Sequence, residues 1–476
     1  MTTLKTEAHL AEAPSRLSRF RAGGIRELIS IAWPLALSIM SANLMLFVDR
    51  LFLAHLSTEA LNASVNSSVY FWILQMGTVA VACIAEVFVG QYNGAGRIRE
   101  LGAPVWQMIY FSLLSVVIYL PAGFLVGPLL FNGAPHGQMS SDFFGILSFG
   151  GPLFPLGAAL ASFYIARGRL GLIAVATVAA NITNVLLDYV LIFGIDGWTA
   201  PMGIRGAAWA TVIGQLVDVT ILAVCFLSHH NRTTYGTNRW RFNLPLFWRS
   251  ICIGTPSAIS MTVEMLAWAV LVHYVALRGE ALMTVASITQ SIVILFVFIS
   301  ESLGKAVTTI ASNAIGARQW PIVWRTFRSG LRLNLYLCAL LAVPFLFAAD
   351  WLVDFFLPPG QSIAFLDTVR AVSVRACLWL WLYCLVDGVK YTLIGLLTAA
   401  GDTRFVAIIG GAAIWLLAIV PTIIALGTLG LHYDSAWIIA VVAIMVISAL
   451  FFWRFRQEKW KQTALLESSG IVSSGN

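Results

Sequence analysis

The sequence predicts an all-α membrane protein in which twelve transmembrane helices form two pseudo-symmetric six-helix bundles. Hydrophobic residues make up 59% of the 476 residues and charged residues 11%, whereas soluble domains carry about 25% charge. Each apolar stretch supplies the roughly 20 residues that a spanning helix needs. Continuous apolar runs also suit helices, which pair their own backbone groups, rather than barrel strands. The stretches are centred near residues 41, 77, 116, 154, 182, 216, 264, 295, 342, 383, 416 and 445.

The second half of the chain repeats features of the first half. Pro34 recurs 222 positions later as Pro256, and Gly94 recurs at the same offset as Gly316. Further along the chain the offset grows to 233. A repeated membrane half is typical of secondary transporters, whose binding sites lie near the midplane between the repeats.

The repeat divides the chain into two lobes of six spans each. We predict an N-lobe at residues 27–228 and a C-lobe at residues 248–457, joined by a polar linker at residues 229–247. Residues 1–26 and 458–476 are predicted to be tails, and the first of these lacks the apolar core of a signal peptide. An even number of spans gives both lobes the same orientation.

The charged residues are distributed as the predicted membrane topology requires. Lys and Arg concentrate in both termini and in alternate loops, as the positive-inside rule requires of cytoplasmic segments. We therefore expect a cell inner-membrane protein with both termini cytoplasmic, and we read the net charge of +7 as a sign of topology rather than of nucleic-acid binding. The opposite loops carry Glu59, Asp142, Asp196, Asp350, Asp354 and Asp434.

No cofactor or catalytic motif is visible in the sequence. The segment Leu303–Ala306 contains Gly304 and Lys305 but lacks the upstream glycine and the following Ser or Thr of a phosphate loop. The six cysteines lie in predicted spans without metal-ligand spacing. No nucleophile and base converge, so an enzyme is not predicted. Transport without a nucleotide site would have to depend on an ion gradient.

Acidic residues inside spans are the candidate functional groups, because a charge there costs about 2.5–3.5 kcal/mol and usually faces a cavity or a partner. Glu86 and Asp218 are interpreted as structural, since they lie toward span ends where headgroups or loop arginines are near. Glu301 and Lys305 are four residues apart, a spacing that favours an ion pair.

Four other acids lie well inside their spans: Asp49, Asp188, Glu264 and Asp387. None recurs in the other half; Asp49, for example, aligns with Leu271. Packing needs that are common to both halves therefore do not explain them.

Two of these acids have polar companions at helical spacing. Asn181, Asn184 and Asp188 share one helix face, and Tyr383 lies one turn before Asp387. A carboxyl group in a dry lobe favours its protonated form, whereas one beside other oxygens can hold Na⁺. Plain interhelical hydrogen bonding is the third reading. Lys390, three residues after Asp387, can partly compensate the charge of that residue.

At these residues the chain resembles the multidrug and toxic compound extrusion (MATE) transporters, over nearly its whole length. The resemblance implies a V-shaped pair of six-helix bundles that exports lipophilic organic cations in exchange for H⁺ or Na⁺. Small cationic or amphipathic molecules and membrane lipids are then the partners, and a monomer is expected. The resemblance to this family is carried by Phe47–Asp49, Gln91–Gly96, Asn184–Tyr189, Gly203–Ala210, Glu264, Tyr383, Asp387 and Gly401–Thr403.

The resemblance also implies roles for individual residues. Asp49, Asn184 and Asp188 match the N-lobe proton or cation site, and Glu264, Tyr383 and Asp387 match a C-lobe cation site that can hold Na⁺. Arg50 departs from the family, which commonly has a small hydroxyl residue there; Arg50, Asn181 and Lys390 are possible modulators. The cations Arg50, Lys305 and Lys390 keep open an alternative, a flippase of the same superfamily that moves a lipid-linked or anionic substrate.

Overall fold

The computed structural model describes residues 17–195, 197, 199–357, 362–430 and 432–461. Within these ranges, twelve helical segments are long and apolar enough to cross a membrane. We number them spans 1 to 12. They are Ile25–Leu56, Thr58–Gly94, Ile98–Leu130, Gly137–Ile165, Leu170–Phe193, Ile204–Phe226, Leu244–Ala276, Glu280–Gly316, Trp320–Phe347, Ile363–Ala399, Thr403–Gly427 and Asp434–Arg456.

Each predicted apolar stretch falls within one span, so the predicted all-α class with twelve spans is confirmed. Span 7 begins at Leu244, whereas the sequence placed the start of the C-lobe at residue 248. The Asn243 side chain explains the earlier start, because its Oδ1 accepts a hydrogen bond from the Leu246 N–H at 3.0 Å and caps the helix. Residues 1–16, Asp196 and the tail from residue 462 lie outside the described residues.

Several spans contain a break in their helical hydrogen bonding. π-helical turns occur at Ala122–Val126 in span 3, at Val343–Phe347 in span 9 and at Ile414–Ile419 in span 11. Pro121 directly precedes the first turn, Pro344 lies in the second, and Pro421 follows the third by two residues. The N–H that proline lacks interrupts the helical hydrogen bonds at each of these places. The turns of spans 3 and 9 lie almost 222 residues apart, so the repeat extends to backbone irregularities.

The two lobes meet through equivalent spans. Span 1 packs against span 8, and span 2 packs against span 7. A Cβ atom added at Gly94 would overlap the Asn313 carbonyl oxygen, and one added at Gly316 would overlap the Gln91 carbonyl oxygen. These contacts are reciprocal under the 222-residue offset, because Gly94 corresponds to Gly316 and Gln91 to Asn313. A pseudo-twofold axis therefore passes between them.

Side-chain hydrogen bonds complete this contact, which we call the glycine seam (Gln91–Gly94 with Asn313–Gly316). Asn93 Nδ2 donates to Asn313 Oδ1 at 2.7 Å, and Gln91 Nε2 donates to the Ala399 carbonyl oxygen at 2.7 Å. Asn313 Nδ2 donates to the Ala166 carbonyl oxygen at 2.8 Å. The seam therefore ties together the ends of spans 2, 4, 8 and 10.

The seam lies at the terminal face, the side of the molecule on which the described chain begins and ends. The segment before span 1 packs there, since Ser329 Oγ of span 9 donates to the Gly23 carbonyl oxygen at 2.7 Å. The linker helix His229–Tyr235 lies there too, with the ring of Tyr235 only 3.6 Å from Arg167 Cζ. The even-numbered spans end at this face.

The opposite face carries paired arginines. Arg205 contacts Asp142 at 2.7 Å, and Arg370 contacts Asp354 at 2.6 Å. Arg375 lies 3.4 Å from Asp434. Each predicted acid named here therefore neutralises an arginine from a neighbouring span.

We expect Gly94→Ala to destabilise the protein, because the added methyl group forces the lobes apart at the seam. Overpacking of this kind costs about 1–3 kcal/mol. Thermal unfolding of the purified protein, followed by tryptophan fluorescence, measures the effect. Gly171→Ala is the matched control, since nothing lies within 4 Å of its Cβ position. Equal midpoints for the two variants would contradict the close packing at the seam.

Candidate functional site

The N-lobe contains a pair of facing carboxyl groups. Asp49 in span 1 is 9% exposed, and Asp188 in span 5 is fully buried. The two carboxyl groups lie within hydrogen-bonding reach of each other. An ionised carboxylate only accepts hydrogen bonds, so this contact is satisfied only when one of the two carries a proton. The hydrogen bond between the two carboxyl groups can therefore form only when the pair carries a proton.

Asn184 lies one helical turn from Asp188 on the same buried face. It is fully buried, and in the described part of the chain its side-chain amide has no hydrogen-bond partner. Gly214 of span 6 leaves room for the Asn184 side chain, because a Cβ atom at Gly214 would lie 3.1 Å from Asn184 Cβ. A buried amide without a protein partner is uncommon and offers both a donor and an acceptor to a ligand.

Asn181 extends this face toward the terminal side. Its Nδ2 donates to Ser41 Oγ of span 1, so the side chain joins spans 1 and 5. The structure thus brings together the predicted Asp49, Asn181, Asn184 and Asp188. Among them, Asn181 holds the two helices in register.

Arg50 follows Asp49 but points elsewhere. Neighbouring side chains on a helix diverge by about 100°, and the Arg50 guanidinium carbon lies 5.9 Å from the centre of the Trp72 ring. Within the ranges described, no carboxylate oxygen lies within ion-pair distance of Arg50, although Asp49 acts on Arg50 electrostatically. Arg50 therefore does not tether Asp49.

A cleft of 740 Å³ lies beside Arg50, between spans 1 and 2. Arg50 is half-buried at its wall. The cleft is lined by Phe47, Arg50, Leu51, Ala54, Leu61, Asn62, Val65, Asn66 and Val69.

The C-lobe group contains its own cation. Lys390 Nζ lies 2.7 Å from Asp387 Oδ1, and the two side chains are 12% and 1% exposed. Lys390 also lies 4.7 Å from the centre of the Tyr391 ring. The compensation that the three-residue spacing predicts is therefore present as a buried ion pair.

Glu264 and Tyr383 belong to the same neighbourhood. Both are half-buried, and both interact electrostatically with Asp387 or Lys390. The Tyr383 ring meets Trp437 edge-on at 6.4 Å. The predicted Glu264, Tyr383 and Asp387 are thus together, although in the part of the chain that is described no three His, Cys, Asp or Glu residues have metal-binding spacing.

Glu86 is the residue that the sequence analysis misplaced. It is 6% exposed and lies between the lobes, where its Oε1 accepts a hydrogen bond from Thr309 Oγ1 of span 8 at 2.8 Å. The expectation of headgroups was wrong because span 2 continues past Cys83 to Gly94, which puts Glu86 two turns inside the helix. The repeat carried the missing signal, since Glu86 aligns with the polar residue Thr308.

Three other charged residues lie in spans: Glu301, Lys305 and Asp218. Glu301 and Lys305 form the predicted ion pair, with 3.2 Å between Lys305 Nζ and Glu301 Oε1. Asp218 was also expected near headgroups or loop arginines, but its Oδ2 faces span 4, 3.4 Å from the Cβ position of Gly157.

Comparison with known proteins gives a consistent picture. A family model described as MatE matches residues 34–190 and 256–424, more than half of the chain. The two matches begin at Pro34 and Pro256, the positions that the 222-residue offset relates. A probable multidrug resistance protein NorM from Thermotoga maritima is 24% identical over 94% of this chain and 96% of its own length. Another from Synechocystis is 22% identical over 92% and 96%.

Solved structures share the fold. An outward-facing multidrug resistance MATE family transporter of the MOP superfamily superposes with a TM-score of 0.81 at 16% identity, covering 95% of this chain and 99% of that one. A MOP superfamily transporter from Pyrococcus furiosus, described as having a binding pocket of reverse polarity, gives a TM-score of 0.79 at 17% identity, with coverage of 94% and 99%.

We expect Lys390→Met to destabilise the protein, because it leaves the buried Asp387 carboxylate without a partner. Breaking a buried ion pair from one side costs about 3–5 kcal/mol. The double variant Lys390→Met/Asp387→Asn should recover most of the loss. Thermal unfolding of the three proteins in detergent measures both effects. Equal losses in the single and double variants would show that the ion pair does not account for the effect.

Proposed function

The chain belongs to the MatE family of membrane transporters, and from this premise we propose that it is a secondary active antiporter exporting lipophilic organic cations in exchange for H⁺. Membership of a transporter family also confirms that the protein is not an enzyme. The observation that carries the proposal is the Asp49–Asp188 carboxyl pair. Relatives named as probable multidrug resistance proteins support the export of drugs.

The carboxyl pair supplies the exchange chemistry. With one shared proton the two groups hydrogen bond and the site carries a single negative charge. Loss of that proton leaves two facing carboxylates, which repel each other and attract a cation. Entry of a proton from the other side of the membrane reverses this and weakens the hold on the bound cation. Proton and substrate therefore compete for the same charge.

We favour H⁺ at the N-lobe carboxyl pair over Na⁺ at the C-lobe residues as the coupling ion. The sequence leaves either ion open, with Na⁺ placed at Glu264, Tyr383 and Asp387. The Lys390 ammonium already lies 2.7 Å from Asp387, so Na⁺ bound to that carboxylate would sit beside a like charge. Arg50 also acts electrostatically on Asp49, but its guanidinium lies against the Trp72 ring rather than in an ion pair with the N-lobe carboxyl groups.

The energetics of a one-for-one exchange are modest. Moving one charge through 100 mV is worth about 2.3 kcal/mol, but the exit of a monocation cancels the entry of a proton. The proton gradient then supplies about 1.4 kcal/mol per pH unit. One proton per cation gives roughly tenfold accumulation, and a second proton would add the voltage to the driving force.

Orientation follows from the positive-inside rule. In this proposal the terminal face is cytoplasmic and the protein is a monomer of the cell inner membrane. The glycine seam then closes the cytoplasmic side, and the cleft at Arg50 lies in the outer half. Opening the seam is the step that would admit substrate from the cytoplasm.

Efflux from proteoliposomes tests the function. We expect a cationic dye to be expelled under a pH gradient alone, and Asp49→Asn and Asp188→Asn each to reduce pH-driven efflux by about tenfold or more. Asp142→Asn, which alters contacts to Arg205 and Gln138 at the opposite face, is the matched control and should keep wild-type efflux.

Three outcomes would contradict the proposal. Efflux driven by a Na⁺ gradient alone and abolished by Glu264→Gln or Asp387→Asn would place coupling in the C-lobe. Wild-type coupling in both N-lobe variants would remove the carboxyl pair from the mechanism. Movement of a lipid-linked precursor without dye efflux would favour the flippase alternative.

A further inference from the structure

The linker between the lobes is attached to span 3 through its backbone, and a buried amide lies at the centre of this contact. Gln107 is fully buried. Its Nε2 donates to the Arg241 carbonyl oxygen at 3.2 Å, and its Oε1 accepts a hydrogen bond from the Asn243 N–H at 3.0 Å. Burying an amide is unfavourable unless it is hydrogen-bonded, and here both ends of the amide bond to the linker backbone. Gln107 therefore fixes the backbone of the linker without using its side chains.

Two aromatic residues of span 3 extend this attachment. Trp106 Nε1 donates to the Thr237 carbonyl oxygen at 2.8 Å, and the Tyr110 hydroxyl donates to the Trp240 carbonyl oxygen. The linker therefore lies along the first few turns of span 3 and ends where span 7, which packs against span 3, begins at Leu244. The ends of spans lie at the surface of the bilayer, where Trp and Tyr are enriched. The linker is thus held at the level of the lipid headgroups.

The side chains of this part of the linker are exposed although its backbone is fixed. Arginine and aromatic residues alternate from Arg239 to Phe242. Trp240 is 70% exposed and Phe242 is 53% exposed, and the two arginines are exposed as well. Trp248, in the first turns of span 7, is also exposed. We call Arg239–Phe242 with Trp248 the linker patch, and exposed aromatic residues that lie together in this way mark an interaction surface.

The linker patch carries positive charge without an acidic residue beside it in the chain. The sequence contains no Asp or Glu from residue 219 to residue 263. The Arg239 side chain folds back toward the loop between spans 2 and 3, and Glu100 of that loop is already paired with Arg97. Within the linker the charges of Arg239 and Arg241 are therefore uncompensated. Basic residues placed in this way at a membrane surface attract anionic lipids.

We propose that the linker patch binds an anionic phospholipid in the leaflet at the terminal face. Arginine presents paired N–H groups that match a phosphate, and Trp240 and Phe242 provide apolar surface for the glycerol backbone and the start of the acyl chains. A zwitterionic phospholipid offers the same phosphate but adds an ammonium group that the arginines repel. This inference goes beyond the proposed export function, because it concerns how the protein is held in its bilayer and not what it transports.

Trp240 itself can report which lipid lies at the patch. The full-length protein is placed in nanodiscs made from an equal mixture of phosphatidylglycerol and phosphatidylcholine, with only one of the two lipids brominated near the headgroup. The quenching of tryptophan fluorescence in the wild type beyond that in Trp240→Phe isolates the patch. We expect phosphatidylglycerol to be about tenfold enriched there over phosphatidylcholine, as two arginines near an anionic headgroup provide. Arg239→Gln/Arg241→Gln should abolish the enrichment, and Arg239→Lys/Arg241→Lys should retain part of it, because lysine keeps the charge but not the paired N–H groups.

Arg328→Gln/Arg332→Gln is the matched control, since it removes two exposed arginines from span 9 of the other lobe and should leave the enrichment unchanged. Wild-type quenching of Arg239→Gln/Arg241→Gln when both lipids are brominated shows that Trp240 still lies in the bilayer. Unchanged enrichment in that variant, or equal quenching by the two lipids in the wild type, would overturn the proposal. Loss of the enrichment on adding inorganic phosphate, but not sodium chloride of the same ionic strength, would identify a site for a free anion and would also overturn it.

Discussion

A charge inside this protein has to be neutralised locally, because hydrocarbon cannot solvate it. Most of the buried charges achieve this with protein partners. Lys390 pairs with Asp387, and Thr309 donates a hydrogen bond to Glu86. The pair of Asp49 and Asp188 is different, since neither residue brings a positive charge or a donor of its own. A proton or a bound cation would complete that contact, and in the proposed function the exchange of these two species at the pair is the transport step.

The two lobes share a scaffold but not a site. Gly94 and Gly316 make reciprocal contacts, and matching π-helical turns occur in spans 3 and 9. The candidate acids Asp49, Asp188, Glu264 and Asp387 have no such counterparts. The N-lobe holds two carboxyl groups together, while the C-lobe places a lysine against Asp387. Symmetry therefore governs how the lobes pack, and its violation distinguishes the lobes chemically.

The sequence was sufficient to predict the fold and to place Asp188 and Asp387 beside their polar neighbours on the same helix. Apolar length determines the spans, because the bilayer sets a minimum, and helical spacing placed Asn184 with Asp188 and Lys390 with Asp387. Glu86 could not be placed in this way, because its environment comes from span 8, more than two hundred residues away. The direction of Arg50 was equally inaccessible, since spacing alone does not say which neighbouring span supplies Trp72.

The glycine seam has a consequence for how the lobes separate. Its core consists of backbone against backbone at two positions, and around it lies one apolar cluster to which both lobes contribute. Parting the lobes therefore unpacks part of that cluster and breaks the hydrogen bonds that cross the seam. A slip of one residue would bring a Cβ atom into each contact, and the lobes would no longer fit. The lobes can therefore close in one alignment only, and any separation has to end in a return to the same register.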